Sequence, residues 1–434
     1  MKENRSLALT TEITKCLESD LTNVFEDLFP FEKIAALRPK NVRDRVFSPE
    51  NTLLTMLLSM VNEDRSLQNA LSIYSVIHER TQKKIQKQHT EFAKNLRNNP
   101  EKKAGRPRKN PEWIAASKQK PISESTSAYT QARNRLPIEM VTAIFESSIA
   151  ESGQFTWHDR PVFIAGGTYV QLQDIPAILE QFPKQKKTGF PQGMLSVIIQ
   201  QGNGSIYDYH LSSHTQNEFE MLRGILPSLP SGSILLADEL YNSFAAFSHL
   251  HSQGVDIIVH CNKNHKYEKL KSYGIGDELV RITSSTSPNW LNGKELEHKT
   301  LDMRRIEYTY PDLENGKKVI FTSLIDEKIS SHEIILKYNN RWDLELSISE
   351  IKNIMDLKVL RSKTPEMLEK ELCIGLTAYN YVRKIMVNAP EISDITAENE
   401  LIDRYYELNK PILLDKRGRR FARWSPGRYG SDKK

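Results

Sequence analysis

Apolar residues recur at three- and four-residue intervals through the first third of the chain, then switch to short runs and alternations after Arg160. The segment ITKCLESDLTNVFEDLF, Ile13 to Phe29, has the helical spacing, and the region Thr10 to Val76 is read as helices on that basis. In SPENTLLTMLLSMV, Ser48 to Val61, a serine cap precedes proline at the first helical position. TSAYTQARNRLPIEMVTAIFESS, Thr126 to Ser148, is a second helical part, ending near a boundary at Gly153.

Beyond Arg160 the period changes. Val162–Leu172 and Met194–Ser213 read as strands, the latter turning at Gly202-Asn203-Gly204. Asn217–Leu229 reads as a helix, Ser231–Asp238 as a strand, Tyr241–Gly254 as a helix and Gly254–Cys261 as a strand. This alternation predicts an α/β core. Strand-like pieces at Glu278–Ser285, Arg304–Tyr310 and Lys317–Ile325 suggest a β-rich insertion, after which helices resume at His332 and run to Met386. In VFIAGGTYVQLQD the strand is expected to reach a tight turn at Gly166-Gly167, with a second strand leaving it.

The 434 residues suffice for two or three domains, and 38% hydrophobic residues support a core, excluding disorder throughout. The longest apolar run, Leu53 to Val61, is too short to span a bilayer, and the N-terminal residues lack the pattern of a signal peptide. Cys16, Cys261 and Cys373 are too dispersed for a disulfide framework or a zinc pattern, and the spacing of His249, His251, His260 and Cys261 does not match a structural zinc site. A cytoplasmic protein without membrane association is expected. The net charge of +5 says less than its distribution: basic residues dominate Thr81–Lys120 and Lys416–Lys434, which points to a polyanionic partner, although a solvated linker and tail would look similar.

Asp238 closes a strand at its carboxyl end, where α/β proteins place working groups, and strand-end acids also serve as caps. Within the segment Tyr338 to Met367, the spacing predicts Tyr338, Arg341, Glu345 and Lys352 along one face of one helix. A carboxylate flanked by cations can hold a divalent metal while the cations meet phosphate oxygens; the plainer reading is a solvated ion pair.

The spacing Tyr-x-x-Arg-x-x-x-Glu-x-x-x-x-x-x-Lys resembles the motif of IS4-family transposases. Ala128–Pro137, Gly232–Asp238, Arg341–Leu372 and Leu376–Met386 resemble family segments in family order. The resemblance implies a ribonuclease-H-like mixed-sheet core with a β-rich insertion and a mainly helical N-terminal domain. It implies that Asp238 and Glu345 are the second and third acids of a metal-binding triad using magnesium or manganese, and that Tyr338, Arg341 and Lys352 contact DNA near the cut. Family members carry Asp-Gly-Thr or Asp-Gly-Ser where this chain has Gly166-Gly167-Thr168, so the first acid is missing at Gly166. Asp174, eight residues on, lies too far along to replace it.

Gly105-Arg106-Pro107-Arg108-Lys109 resembles an AT-hook core, and contact of Arg106, Arg108 and Lys109 with the DNA backbone is the plainer reading. Trp290 in the insertion could stack on a flipped base, as implied by relatives, or pack in the insertion's own core. The expected organisation is a helical region 1–80, a basic linker 81–120, a connector 121–156, a first core part 157–262, the insertion 263–325, core helices 326–390 and a tail 391–434. Expected partners are double-stranded DNA at terminal inverted repeats and a second subunit, in a bacterial host. Three functions remain open: a transposase impaired at Gly166, a noncatalytic DNA-binding descendant, and a metal-dependent nuclease that does not transpose, against which the Tyr-Arg-Glu-Lys pattern argues.

Overall fold

The structure is a computed structural model. It describes residues 25–388 except 26, 40–46, 63, most of 79–124, 150–154, 185–188, 214–225, 262–264, 285–297 and 310–316. Arg106, Arg108, Lys109, Trp290 and the basic tail therefore lie outside the described residues, as does most of the helix expected at Asn217–Leu229.

Among the described residues, α1 (Phe31–Ala36), α2 (Pro49–Val61), α3 (Thr126–Arg135) and α4 (Ile138–Ser148) precede the sheet, with a further helical run over 67–78. Ser48 caps α2 by accepting the Asn51 N–H at 3.2 Å, with Pro49 at the first position as expected. Leu136-Pro137 separates α3 from α4, because proline disfavours a helical residue before it.

The sheet is formed by β1 (Thr156–Trp157), β2 (Arg160–Gln171), β3 (Gln192–Gln200), β4 (Ile206–Ser213), β5 (Ile234–Ala237), β6 (Asp256–Cys261), β7 (Tyr267–Gly274), β8 (Asp277–Thr283), β9 (Thr300–Thr309) and β10 (Lys317–Thr322). Strand order is β4-β3-β2-β5-β6-β10-β9-β8-β7, with β1 paired to β2. β2, β3 and β4 form an antiparallel meander, while β5 runs parallel to β2 and β6 parallel to β5. The remaining strands are antiparallel, so the β-rich segment extends the core sheet through the β10–β6 pairing. The central runs VFIA, ILLA and DIIV are apolar at almost every position because both sheet faces are covered.

On one face Val162, Ile164, Leu236 and Ile258 join a core shared with the N-terminal helices and with α6 (Ser331–Asn339), α7 (Trp342–Asn353) and α8 (Pro365–Asn388). On the other, Phe163, Leu235, Ile257 and Val259 pack with α5 (Phe244–Ser252) and side chains of β8–β10. Inside α8, Asn380 accepts the Ile206 N–H at 2.7 Å and donates to the Ile206 carbonyl at 2.9 Å and Ser148 Oγ at 3.0 Å. One satisfied buried amide thus ties α8 to the start of β4 and the end of α4.

Two local expectations are corrected. Gly166 and Gly167 do not turn the chain: they lie inside the 12-residue β2 and pair with Val197 and Ser196. Neither has positive φ. The glycines are accommodated by packing, since a Cβ on Gly166 would lie 2.3 Å from Leu344 Cδ2. Nor do Tyr338 and Glu345 share a helix. α6 ends at Asn339 and α7 begins at Trp342. Between them, Arg341 N–H bonds the Tyr338 carbonyl and Leu344 N–H the Arg341 carbonyl, each three residues back. That tighter winding changes the phase of the apolar face between the two helices.

Candidate active site

The site is assembled where β5 and β6 end beside the middle of β2, beneath the α6–α7 junction. Ile164 pairs with Leu236, and Ala237 with Val259. Continuing both registers places Gly166, Asp238 and His260 in one row across three neighbouring parallel strands, each step roughly 4.8 Å. All three positions follow the alternation of Ile164, Leu236 and Ile258, so they face α6 and α7.

From above, the His260 ring stacks on Tyr338, centroids 6.3 Å apart at 23°. Burial pushes the Tyr338 hydroxyl up to about 12; neighbouring Arg341 opposes the shift and Asp238 adds to it. Tyr338 is therefore a neutral donor across the working pH range. Arg341 is within hydrogen-bonding reach of Tyr338 and lies 3.7 Å from Glu345. Tyr338, Arg341, Glu345 and Asp238 are thus brought into one neighbourhood, with the Arg341 side chain mostly buried and Glu345 open to solvent.

Lys352 lies lower on α7, where its Nζ donates to Thr168 Oγ1 at 3.0 Å. Thr168 is two residues from Gly166 on the same face, so Leu344 and Lys352 clasp β2 at successive inward positions. Burial lowers the Lys352 pKa, and Lys358 nearby lowers it further. Asp174 is separate, in an ion pair with Lys184 at 2.5 Å.

The spacing of His260 to the other histidines and Cys261 fits no zinc site and gives it no role in the sequence. The alternation in DIIVHC was the available signal: it sets His260 on the Ile258 side, level with Asp238. Cys261 faces away and accepts from Asn242 Nδ2 at 2.9 Å.

The donors present do not fit a pair of divalent ions. Magnesium is octahedral and is held by one or two carboxylates with water completing its shell, so a pair of ions needs more carboxylate oxygen than the row supplies with Asp238 and nothing from Gly166. Among the described residues no three His, Cys, Asp or Glu side chains gather to hold a metal. No helix among the described residues is long and apolar enough to cross a membrane.

Residues 157–381 match the family of the transposase DDE domain. The chain is 26% identical over 282 residues to the transposase InsG for insertion sequence element IS4 of Escherichia coli (strain K12), covering 61% of this chain and 62% of that protein. It is 24% identical over 182 residues to the putative transposase InsZ of the same organism, covering 40% and 58%. The chain thus spans less than two thirds of the length of these relatives. A piggyBac transposase synaptic complex with hairpin DNA gives a TM-score of 0.38 at 8% identity, covering 85% of this chain and 79% of that one.

Proposed function

Since the chain belongs to the transposase DDE-domain family, whose match takes in more than half its length, we propose that it binds the ends of a mobile DNA element and that its strand-cleaving chemistry is impaired by Gly166. The in-register row of Gly166 and Asp238 beneath Tyr338, Arg341 and Glu345 carries this reading. It offers two of three expected carboxylates and glycine in place of the first. The sheet supports a ribonuclease-H-like core: a meander of three strands followed by two strands parallel to the first.

When bound, a magnesium or manganese ion would supply Lewis-acid stabilisation of phosphoryl oxygens. Asp238 and Glu345 are the oxygens this chain offers, and they fall short of a two-ion set. The chain's own contribution is positional. Arg341 and Lys352 can meet phosphate oxygens, and the neutral Tyr338 hydroxyl can donate to one. The expected partners are double-stranded DNA at terminal inverted repeats and a second copy of the chain, each copy holding one end. The domain boundaries given above are kept as the organisation of this function, in a bacterial host.

A second reading, a transposase-derived DNA-binding protein without catalysis, is favoured by the same Gly166. Both require DNA binding, which a mobility-shift titration against duplex DNA tests. Binding at low salt should weaken steeply as salt rises, because neutralised phosphates release counterions. No binding at low salt would reject both readings.

A further inference from the structure

The β7–β8 hairpin turns at the end of the sheet that carries the candidate site, and strand register connects the two. Continuing the β5–β6 pairing sets Asp238 beside His260; His260 pairs with Ile320, Ile320 with Ile306, and Ile306 with Asp277. Four steps of about 4.8 Å put Asp277, the first residue of β8, within roughly 19 Å of Asp238. Gly274 pairs with Asp277, so Ile275 and Gly276 form a two-residue turn just beyond that row.

The turn is braced. Gly276 has φ +71°, its carbonyl accepts the Glu307 N–H at 2.6 Å, and a Cβ there would lie 2.5 Å from the Glu307 carbonyl oxygen. Glycine alone admits so close an approach at that φ. Its neighbour Ile275 is fully exposed. Two-residue hairpin turns usually take glycine, asparagine or aspartate. Single exposed apolar residues are common on protein surfaces; this one breaks the turn's local chemistry at a fixed apex in line with the candidate site. Such departures concentrate at functional positions.

The acids around the turn are compensated. Asp277 is held by Arg304 at 2.6 and 2.8 Å, Glu278 by Lys269 at 2.6 Å, and Glu307 by Arg305 and Lys317 at 2.8 Å each. A polyanion approaching the apex therefore meets no uncompensated carboxylate among them.

We propose that Ile275 is a wedge that enters a base step of duplex DNA from the minor groove and kinks it, while the duplex lies across the Asp238 row. The inference rests on the DNA-binding reading above. At 3.4 Å per base pair the apex meets the duplex about six base pairs from Asp238. Isoleucine is among the side chains that part base steps in this way, kinking the duplex by about 20–90°. One rigidly held apolar side chain suffices for a base step, whereas a stable protein partner would need about 20–30 residues a side. No base is extracted from the helix. The wedge reads deformability, so it favours the easily unstacked pyrimidine–purine steps.

The test measures DNA bending by energy transfer between dyes at the two ends of a mixed-sequence duplex saturated with the full chain at low salt. The wild type should bend the duplex by about 20° or more. Ile275→Ser should remove the bend and keep the salt slope of binding, because phosphate contacts are untouched. Ile275→Leu, still apolar, should retain the bend. The side chain is fully exposed, so the variants should unfold at the wild-type temperature. A duplex bound but left straight by the wild type, or bent alike by wild type and Ile275→Ser, overturns the wedge while leaving DNA binding standing. Failure of the wild type to bind the duplex at low salt overturns the DNA-binding reading and the wedge with it.

Discussion

Putting a side chain on Gly166 tests the proposal that an acid belongs there. The backbone is extended and paired to Val197, so an L-residue meets no conformational barrier. The obstacle is Leu344. An added Cβ would sit 2.3 Å from Leu344 Cδ2, where carbon atoms settle at about 3.5–4.0 Å. Leu344 must therefore withdraw by more than ~1 Å, and it is only 3% exposed within the main core. Overpacking of this kind costs about 1–3 kcal/mol, so Gly166→Ala should destabilise by that amount in urea denaturation. Leu344→Ala should cost about 2–5 kcal/mol through the cavity it leaves. Combined, the two should cost less than their sum by about 1–2 kcal/mol, because the new methyl enters the vacated space. The same relief should make Gly166→Asp with Leu344→Ala a better-folded carrier of the restored acid than Gly166→Asp alone. A double-mutant cycle additive within ~0.3 kcal/mol would refute the claim that Leu344 occupies the space a side chain at Gly166 would take.

Other parts of the molecule give independent expectations. Arg304 is bidentate to Asp277 at 2.6 and 2.8 Å, both side chains at most 7% exposed, and it also donates to the Asp326 and Ile329 carbonyls. Asp277→Ala strands that guanidinium and should cost about 3–5 kcal/mol by denaturation; a loss below ~1 kcal/mol would contradict the burial. Lys337 lies 5.5 Å from the Trp157 ring, and burial pulls its pKa from 10.5 down to about 8, with Asp343 opposing the shift. The unfolded chain then holds the extra proton between those values, so stability should rise with pH from about 8 to 10.5. Lys337→Met should remove that rise, and identical pH profiles for the two proteins would reject the shift.

Much of the architecture could be read from periodicity. The buried runs of β2, β5 and β6 and the helical spacing of α8 stand where the pattern put them, because each is apolar over the stretch it buries. β7 was missed because it is the sheet's outer strand, with nearly every residue exposed and no apolar alternation to detect. Gly166-Gly167 suggested a turn because glycine pairs commonly make one. What admits them is tertiary contact with Leu344, which no local pattern reports. The α6–α7 break was hidden for a related reason: Asn340 and Arg341 are compatible with a continuous helix, and only hydrogen bonding three residues back shows the change of phase. Asp238 was nameable from the end of its strand, and Tyr338, Arg341 and Glu345 from motif spacing. Their common neighbourhood with His260 required the strand register.

The central claim is that the Asp238 site lost its chemistry with the first acid. Cleavage of DNA carrying the proposed terminal inverted repeats, with magnesium and then manganese, tests it most directly across four proteins: wild type, Gly166→Asp, Gly166→Asp with Leu344→Ala, and the last with Asp238→Ala added. The account predicts little or no cutting by wild type, metal-dependent cutting once the acid is restored, greatest in the form relieved at Leu344, and its loss on removing Asp238. Robust metal-dependent cleavage by the wild type, equal to that of the forms carrying Gly166→Asp, would contradict it.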